Sequence, residues 1–300
     1  MMGLYILLIF IVCAIYVQNR GKVKHTKLSR QLTDHSNLLA PVNCLFYAFS
    51  KVGNKPYFDT QLFPQLKIFE EHWEEIRDEA LALHQQTHIK ASDELDDLGF
   101  NSFFKAGWKR FYLKWYGANL PSAKQLCPRT IELINSVPEI KGAMFTMLPP
   151  GGRLVNHRDP YAGSIRYHLG LATPNSDDCY IDVDGEKYAW RDGEAVMFDE
   201  TYIHYAVNNT EENRIIFFLD VKRPVTFVAV DWFNSVFSRV VLAASATKNL
   251  EGDKVGLLNR MFGSVQKLRM QGKKLKRFSP FLYYASQYIF YALLIYLIFF

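Results

Sequence analysis

Asn156 to Ala172 reads NHRDPYAGSIRYHLGLA. A charged loop containing proline and glycine runs here into a β-strand, SIRYHLGLA, in which Arg166 and His168 flank Tyr167 and so point to one face. Working outward, the chain after about Gly142 is a series of short apolar runs punctuated by turn residues. They are AMFTML before PPGG, SIRYHLGLA before TPNSDD, CYIDVDGEKYAW before RDGE, then AVMFD, and RIIFFLDV before KRP. Many short strands at close spacing predict a sandwich or jelly roll. CYIDVDGEKYAW predicts a hairpin turning at Asp184-Gly185.

The flanks follow a different period. From Pro64 to Gln86, Leu66, Phe69, Trp73, Ile76, Ala80 and Leu83 recur at three- and four-residue steps, which predicts one amphipathic helix on the core. After Val225 the pattern is helical again to about Gln271. In VDWFNSVFSRVVLAASA the bulky residues Trp232, Phe233, Val236, Phe237, Val240 and Val241 gather on one side. That side suits either the core or a membrane interface, and its place just before a basic segment favours the interface.

The 300 residues, 49% hydrophobic, are enough for one sizeable core plus accessory elements. The 23 Phe, 17 Tyr and 5 Trp concentrate toward the C-terminus. Gly3–Val17 (GLYILLIFIVCAIYV) and Phe281–Phe300 (FLYYASQYIFYALLIYLIFF) are uncharged, which predicts a retained transmembrane helix at each end. Arg20, Lys22, Lys24, Lys27 and Arg30 follow the first segment; Lys267, Arg269, Lys273, Lys274, Lys276 and Arg277 precede the last. Both clusters favour the cytoplasm, so everything between them is expected there. The net charge of +5 reads as attraction to anionic headgroups, because the basic residues gather beside the apolar segments and form no nucleic-acid motif. Cys13, Cys44, Cys127 and Cys179 are too scattered for a disulfide framework or zinc knuckle. The expected organisation is a transmembrane helix over 1–19, a basic and helical support region over 20–142, a β core over 143–224, an amphipathic and basic helical region over 225–277, and a second transmembrane helix over 278–300.

Three residues suit a divalent iron: His157 and Asp159, two apart and able to project to the same side of an extended chain, and His204 after the AVMFD strand. Two imidazoles and one carboxylate on one face of the ion leave three positions open, as an oxygenase needs to bind a co-substrate and O2 together. An isolated HxD occurs by chance in many proteins, and its context is what raises it. Arg166 and His168 share a face on the next strand, and Arg214 opens the strand that follows His204. Arginine matches a carboxylate through two parallel hydrogen bonds, so these three are the expected binders of a dicarboxylate co-substrate.

Taken in order, HRDPYAGSIRYHLGL, WRDGEAVMFDETYIHYAVNN and RIIFFLDVKRP resemble the aspartyl/asparaginyl β-hydroxylase family of iron(II)- and 2-oxoglutarate-dependent dioxygenases. With its apolar ends the chain is similar, within that family, to the bacterial lipid A 2-hydroxylases. The resemblance covers about Ala143 to Pro224. It implies a mainly β, double-stranded β-helix (jelly-roll, cupin-like) core with flanking α-helices, iron on His157, Asp159 and His204, and 2-oxoglutarate near Arg166, His168 and Arg214. Animal members carry glycine in place of the carboxylate ligand, so Asp159 implies a more complete ligand set here. The implied co-substrates are 2-oxoglutarate and O2, with ascorbate as a supporting reductant. The implied activity is hydroxylation of a lipid A acyl chain at C2 on the cytoplasmic side of the bacterial inner membrane, with the bilayer as the only other partner. The alternatives are hydroxylation of another membrane lipid such as an ornithine lipid, hydroxylation of Asp or Asn in a protein, and a non-catalytic membrane-anchored cupin-like binder.

Overall fold

A computed structural model describes residues 2–91, 97 and 99–299 of the chain. Met1 and Phe300, the outer ends of the two expected spans, lie outside the described residues. Among the described residues the ten strands are β1 (Tyr57–Phe58), β2 (Lys109–Trp115), β3 (Ile140–Leu148), β4 (Arg153–His157), β5 (Ser164–Ala172), β6 (Cys179–Val183), β7 (Glu186–Ala189), β8 (Ala195–Phe198), β9 (His204–Asn208) and β10 (Arg214–Lys222). They form a six-stranded sheet, β1-β8-β5-β10-β3-β2, and a four-stranded sheet, β4-β9-β6-β7. From β3 onward the chain crosses between the sheets at every connection except one, the β6–β7 hairpin, which stays within the smaller sheet. That is the jelly-roll winding expected from the strand pattern.

The hairpin turns at the expected place. Asp184 (φ 56°) and Gly185 (φ 88°) both take left-handed conformations, as a two-residue turn matching strand twist demands, and Val183 pairs with Glu186.

The helices are α1 (Met2–Asn19), α2 (Leu28–Leu32), α3 (Ala40–Ala48), α4 (Lys67–Glu71), α5 (Trp73–Gln85), α6 (Pro121–Leu126), α7 (Pro128–Ser136), α8 (Val228–Phe237), α9 (Leu257–Phe278) and α10 (Pro280–Phe299). Helix cover explains why β5 and β10 are buried on both faces and read as near-continuous apolar runs. On β10, Phe217 turns outward to Phe69 of α4, with ring centroids 5.4 Å apart, while Arg214, Ile216 and Phe218 line a cavity between the sheets.

Four features differ from the sequence expectation. The helix expected over Pro64–Gln86 is broken at His72 (φ −115°, ψ 22°) into a 3-10 turn, α4 and α5. Its apolar face still holds: Leu66, Phe69, Ile76, Ala80 and Leu83 are buried, and the break lets Phe69 reach β5 and β10. The β core also extends beyond 143–224, because β1 and β2 from the 20–142 region close the two edges of the larger sheet. The outer side of β2 is covered by Asn249, whose side chain accepts from the Tyr112 amide at 2.8 Å and donates to its carbonyl at 2.7 Å. The apolar stripe of α8 divides. Phe233 and Phe237 pack on Phe46 and Tyr161, whereas Trp232 (66% exposed) and Val240 (65%) face outward.

The expectation of a spanning helix at each terminus is not supported: among the described residues no helix is long and apolar enough to cross a membrane. The inner end of α1 is joined to the β core. Arg158 donates to the Val17 carbonyl at 2.7 Å, and Arg20 lies between the Tyr47 and Tyr202 rings, 3.9 Å from each centroid, while donating to Asp199 at 2.6 Å.

Candidate active site

β4 and β9 are neighbours, and their register sets His157 opposite His204, with ring centroids 4.2 Å apart. The residues of β4 were expected to form a loop, not a strand. β4 is short, follows Gly151-Gly152 and carries a register irregularity between Leu154 and His157, so no clean period-2 signal survives. Asp159 follows on the loop leaving β4, where its amide donates to the Glu200 carbonyl at 2.9 Å.

The candidate ligand atoms of His157, Asp159 and His204 lie within 4.8 Å of one another. The other nitrogen of each imidazole is engaged: Nδ1 of His157 lies 2.7 Å from the Val155 carbonyl, and Nδ1 of His204 lies 3.0 Å from the Tyr202 carbonyl. A carbonyl only accepts, so each ring carries its hydrogen on Nδ1 and keeps the Nε2 lone pair for a metal. Burial lowers both histidines, His204 to about 3, and they are neutral at physiological pH. Burial by itself would raise Asp159, but the Arg166 guanidinium outweighs it and brings it to about 2. Two neutral imidazoles and a carboxylate fit the donor set of a divalent iron site.

Three further cavity residues were expected to hold a co-substrate. Arg214 is 2% exposed, and its one hydrogen-bonded neighbour among the described residues is the Thr146 hydroxyl at a long 3.5 Å. Its guanidinium lies 4.4 Å from the Trp190 ring centroid, and its Nε has no partner. No carboxylate among the described residues pairs with it, and burial pulls it down to about 10. A buried cation without a counter-ion is costly, so this end of the cavity is built for an anion. His168 adjoins it with both ring nitrogens unpartnered, held neutral by burial and by the charges of Arg166 and Arg214. The indole N–H of Trp190 is unpartnered as well.

Arg166 does not join them. It donates to Asp159 at 2.7 Å and to Asp220 at 2.8 Å, with Glu200 at 3.4 Å, and its guanidinium is not free to clamp a dicarboxylate. The expectation was drawn from the shared face of Arg166 and His168. The face is as expected, but β5 sets Arg166 directly across from Asp220 of β10, and that pairing is invisible in either strand alone.

Thr146, Trp190, Glu200 and Asp220 were not anticipated. Asp220 had a signal: it is the acid in the otherwise apolar RIIFFLDV, on the same strand face as Arg214. The remainder of the cavity wall is apolar. Phe103 packs edge-on to His157 at 4.7 Å, with Phe100, Trp108 and Leu154 beside it.

A family model described as aspartyl/asparaginyl β-hydroxylase matches residues 70–224, more than half of the chain. The chain belongs to that family. The matched region begins within α4 and takes in every strand from β2 to β10, leaving out only the edge strand β1, so it is wider than the run of motifs from Ala143. An ornithine lipid ester-linked acyl 2-hydroxylase of Rhizobium tropici is 32% identical over 200 residues, covering 65% of this chain and 71% of that one. The human aspartate β-hydroxylase domain-containing protein 2 is 34% identical over 133 residues, 41% of this chain and 36% of that one. Among solved structures, a prolyl-4-hydroxylase of Pseudomonas putida aligns over 52% of this chain and 88% of its own with 14% identity and a TM-score of 0.34. As a member of a hydroxylase family, the protein is an oxygen-inserting enzyme by class.

Proposed function

We propose that the protein is an iron(II)- and 2-oxoglutarate-dependent hydroxylase acting at C2 of a fatty acyl chain in a membrane lipid, from the cytoplasmic side of a bacterial inner membrane. The observation that carries the co-substrate assignment is Arg214, a buried guanidinium with no counter-ion among the described residues, in the same cavity as the His157, Asp159 and His204 cluster. One terminal carboxylate of 2-oxoglutarate answers that charge, with Thr146 beside it and His168 available for a neutral hydrogen bond.

When bound, iron and 2-oxoglutarate supply the oxidising chemistry, in which the keto acid leaves as succinate and CO2 while one oxygen atom of O2 enters a C–H bond. The protein's own part is to hold and to exclude. His157, Asp159 and His204 present three ligand atoms with their proton states already set. Arg214 fixes the co-substrate's far end, and the aromatic wall at Phe100, Phe103 and Trp108 keeps water away. No side chain is needed as nucleophile or general base.

Support for an acyl substrate comes from that apolar wall and from the likeness to the Rhizobium acyl 2-hydroxylase. The outward residues of α8 and the apolar surfaces of α1 and α10 support attachment at a bilayer. Lipid A and an ornithine lipid are the two substrates to separate. Detergent-solubilised protein given Fe(II), ascorbate, 2-oxoglutarate and each purified lipid should release succinate and add one oxygen to the acyl chain of one of them. No lipid-dependent turnover, or full turnover in His157→Ala, would overturn the reading.

A further inference from the structure

Arg166 links the metal cluster to a second buried carboxylate that the proposed chemistry does not use. Its Nη2 donates to Asp159 Oδ2 at 2.7 Å, and its Nε donates to Asp220 Oδ1 at 2.8 Å. The guanidinium plane rests on Phe218, 3.7 Å from the ring centroid, so it has little room to swing. Asp220 is fixed in turn from its other side, where the Tyr116 hydroxyl donates to Oδ2 at 2.9 Å. Beneath it lies Gly142 on β3, where an added Cβ would come within 2.8 Å of that same oxygen. The geometry leaves the two Asp159 oxygens in different situations. Oδ2 is taken by Arg166, while Oδ1 faces His157 Nε2 at 3.8 Å.

We propose that Asp220 is a positioning residue for the metal centre: acting through Arg166, it holds Asp159 so that one carboxylate oxygen is bonded to arginine and the other alone is offered to the ion. The inference rests on the metal reading of His157, Asp159 and His204. A free carboxylate can rotate, or bind through both oxygens and occupy a further coordination position. Fixing Oδ2 on a charge-assisted bond removes both options and preserves the open positions that a co-substrate and O2 require. Arg166 thereby serves the ion's ligand, and recognition of the dicarboxylate falls to Arg214.

The test uses the full-length protein in detergent with Co(II) alone as the probe, read by titration and by its d–d absorption, with no turnover involved. Asp220→Asn keeps the shape and weakens the hold on Arg166. It should loosen Co(II) by about 10- to 100-fold, the usual cost of losing an outer partner of a metal ligand, and change the absorption band. Gly142→Ala removes no polar group but displaces Asp220, and it should reproduce the same two changes. In both variants the loss of Co(II) affinity should exceed any rise in the 2-oxoglutarate KM at saturating iron, because Arg214, Thr146 and His168 are left in place. Thermal melts of the metal-free proteins identify a variant that has merely failed to fold, and Arg166→Lys supplies a milder perturbation of the same link. Wild-type Co(II) affinity and spectrum in both Asp220→Asn and Gly142→Ala would overturn the proposal. So would Arg166→Lys raising the 2-oxoglutarate KM while binding Co(II) normally, which would return Arg166 to the co-substrate. If the wild type binds Co(II) no better than His157→Ala, the metal reading itself falls and takes this inference with it.

Discussion

Replacing Arg214 by methionine should separate co-substrate binding from folding. The guanidinium is 2% exposed, has no carboxylate partner among the described residues, and keeps a Thr146 hydroxyl at 3.5 Å and the Trp190 ring at 4.4 Å. Losing a buried, hydrogen-bonded charge partner costs about 2–5 kcal/mol, which at 1.4 kcal/mol per decade is roughly 30-fold to several thousand-fold in the 2-oxoglutarate KM. The protein without co-substrate has the opposite interest. It gives up a cation–π contact of about 2 kcal/mol but no longer keeps an unpaired cation out of water, a penalty of several kcal/mol. Arg214→Met should therefore melt no lower than wild type in the absence of 2-oxoglutarate, each kcal/mol gained appearing as about 2–4 °C. The assays are succinate release against 2-oxoglutarate concentration, metal titration, and thermal unfolding with and without 2-oxoglutarate. A KM change under threefold refutes the assignment. A parallel loss of metal affinity and melting temperature would make Arg214 a structural residue.

Three other perturbations follow from the same structure. Arg20→Met breaks a buried contact to Asp199 and leaves that carboxylate to Arg223, so urea unfolding should show a loss of about 3 kcal/mol; a loss below about 0.5 kcal/mol would mean that α1 is not joined to the core through Arg20. Asn249→Ala strips partners from both the amide and the carbonyl of Tyr112 at the edge of β2; it should cost about 2–4 kcal/mol and speed hydrogen exchange at the Tyr112 amide, and unchanged protection there would contradict the edge-covering role. Acid should destabilise the metal-free protein. His157, His168 and His204 all titrate below the ordinary histidine value because burial disfavours their charged forms, so as pH falls through about 6.5 the unfolded chain takes up protons that the folded one refuses, and stability drops down to about pH 3 for His204. Urea midpoints between pH 8 and 5 should fall with up to one proton of slope per histidine, and His168→Gln should remove one of those protons; a flat profile would refute the buried neutral state.

Much of the fold and part of the site were legible in local pattern. SIRYHLGLA and RIIFFLDV declare themselves as strands because runs covered on both faces are mostly apolar, and Asp184-Gly185 declares the hairpin because only such residues take two left-handed conformations cheaply. The His157, Asp159 and His204 set was readable through its context, since an HxD that is common by chance is followed here by a third donor and by arginines suited to a dicarboxylate. Arg214 was readable because a charged residue opening a buried strand needs an anion. The strand β4 was not, being short and irregular, although its register with β9 is what sets His157 against His204.

Pairings across sequence distance belonged to the tertiary structure alone. The alternation in β5 puts Arg166 and His168 on one face, but not which of them has a carboxylate opposite. β10 lays Asp220 across from Arg166 and Phe218 across from His168, so the first is consumed by an internal ion pair and the second is left with free nitrogens in the cavity. The stripe on α8 shows the same division: its period specifies a helix, and only the arrival of Phe46 and Tyr161 decides that Phe233 and Phe237 are covered while Trp232 and Val240 stay outside. Periodicity fixes the direction a side chain takes from its own backbone. What it meets there is decided by residues far along the chain, and for a buried charge that partner determines whether it holds the fold together or waits for a ligand.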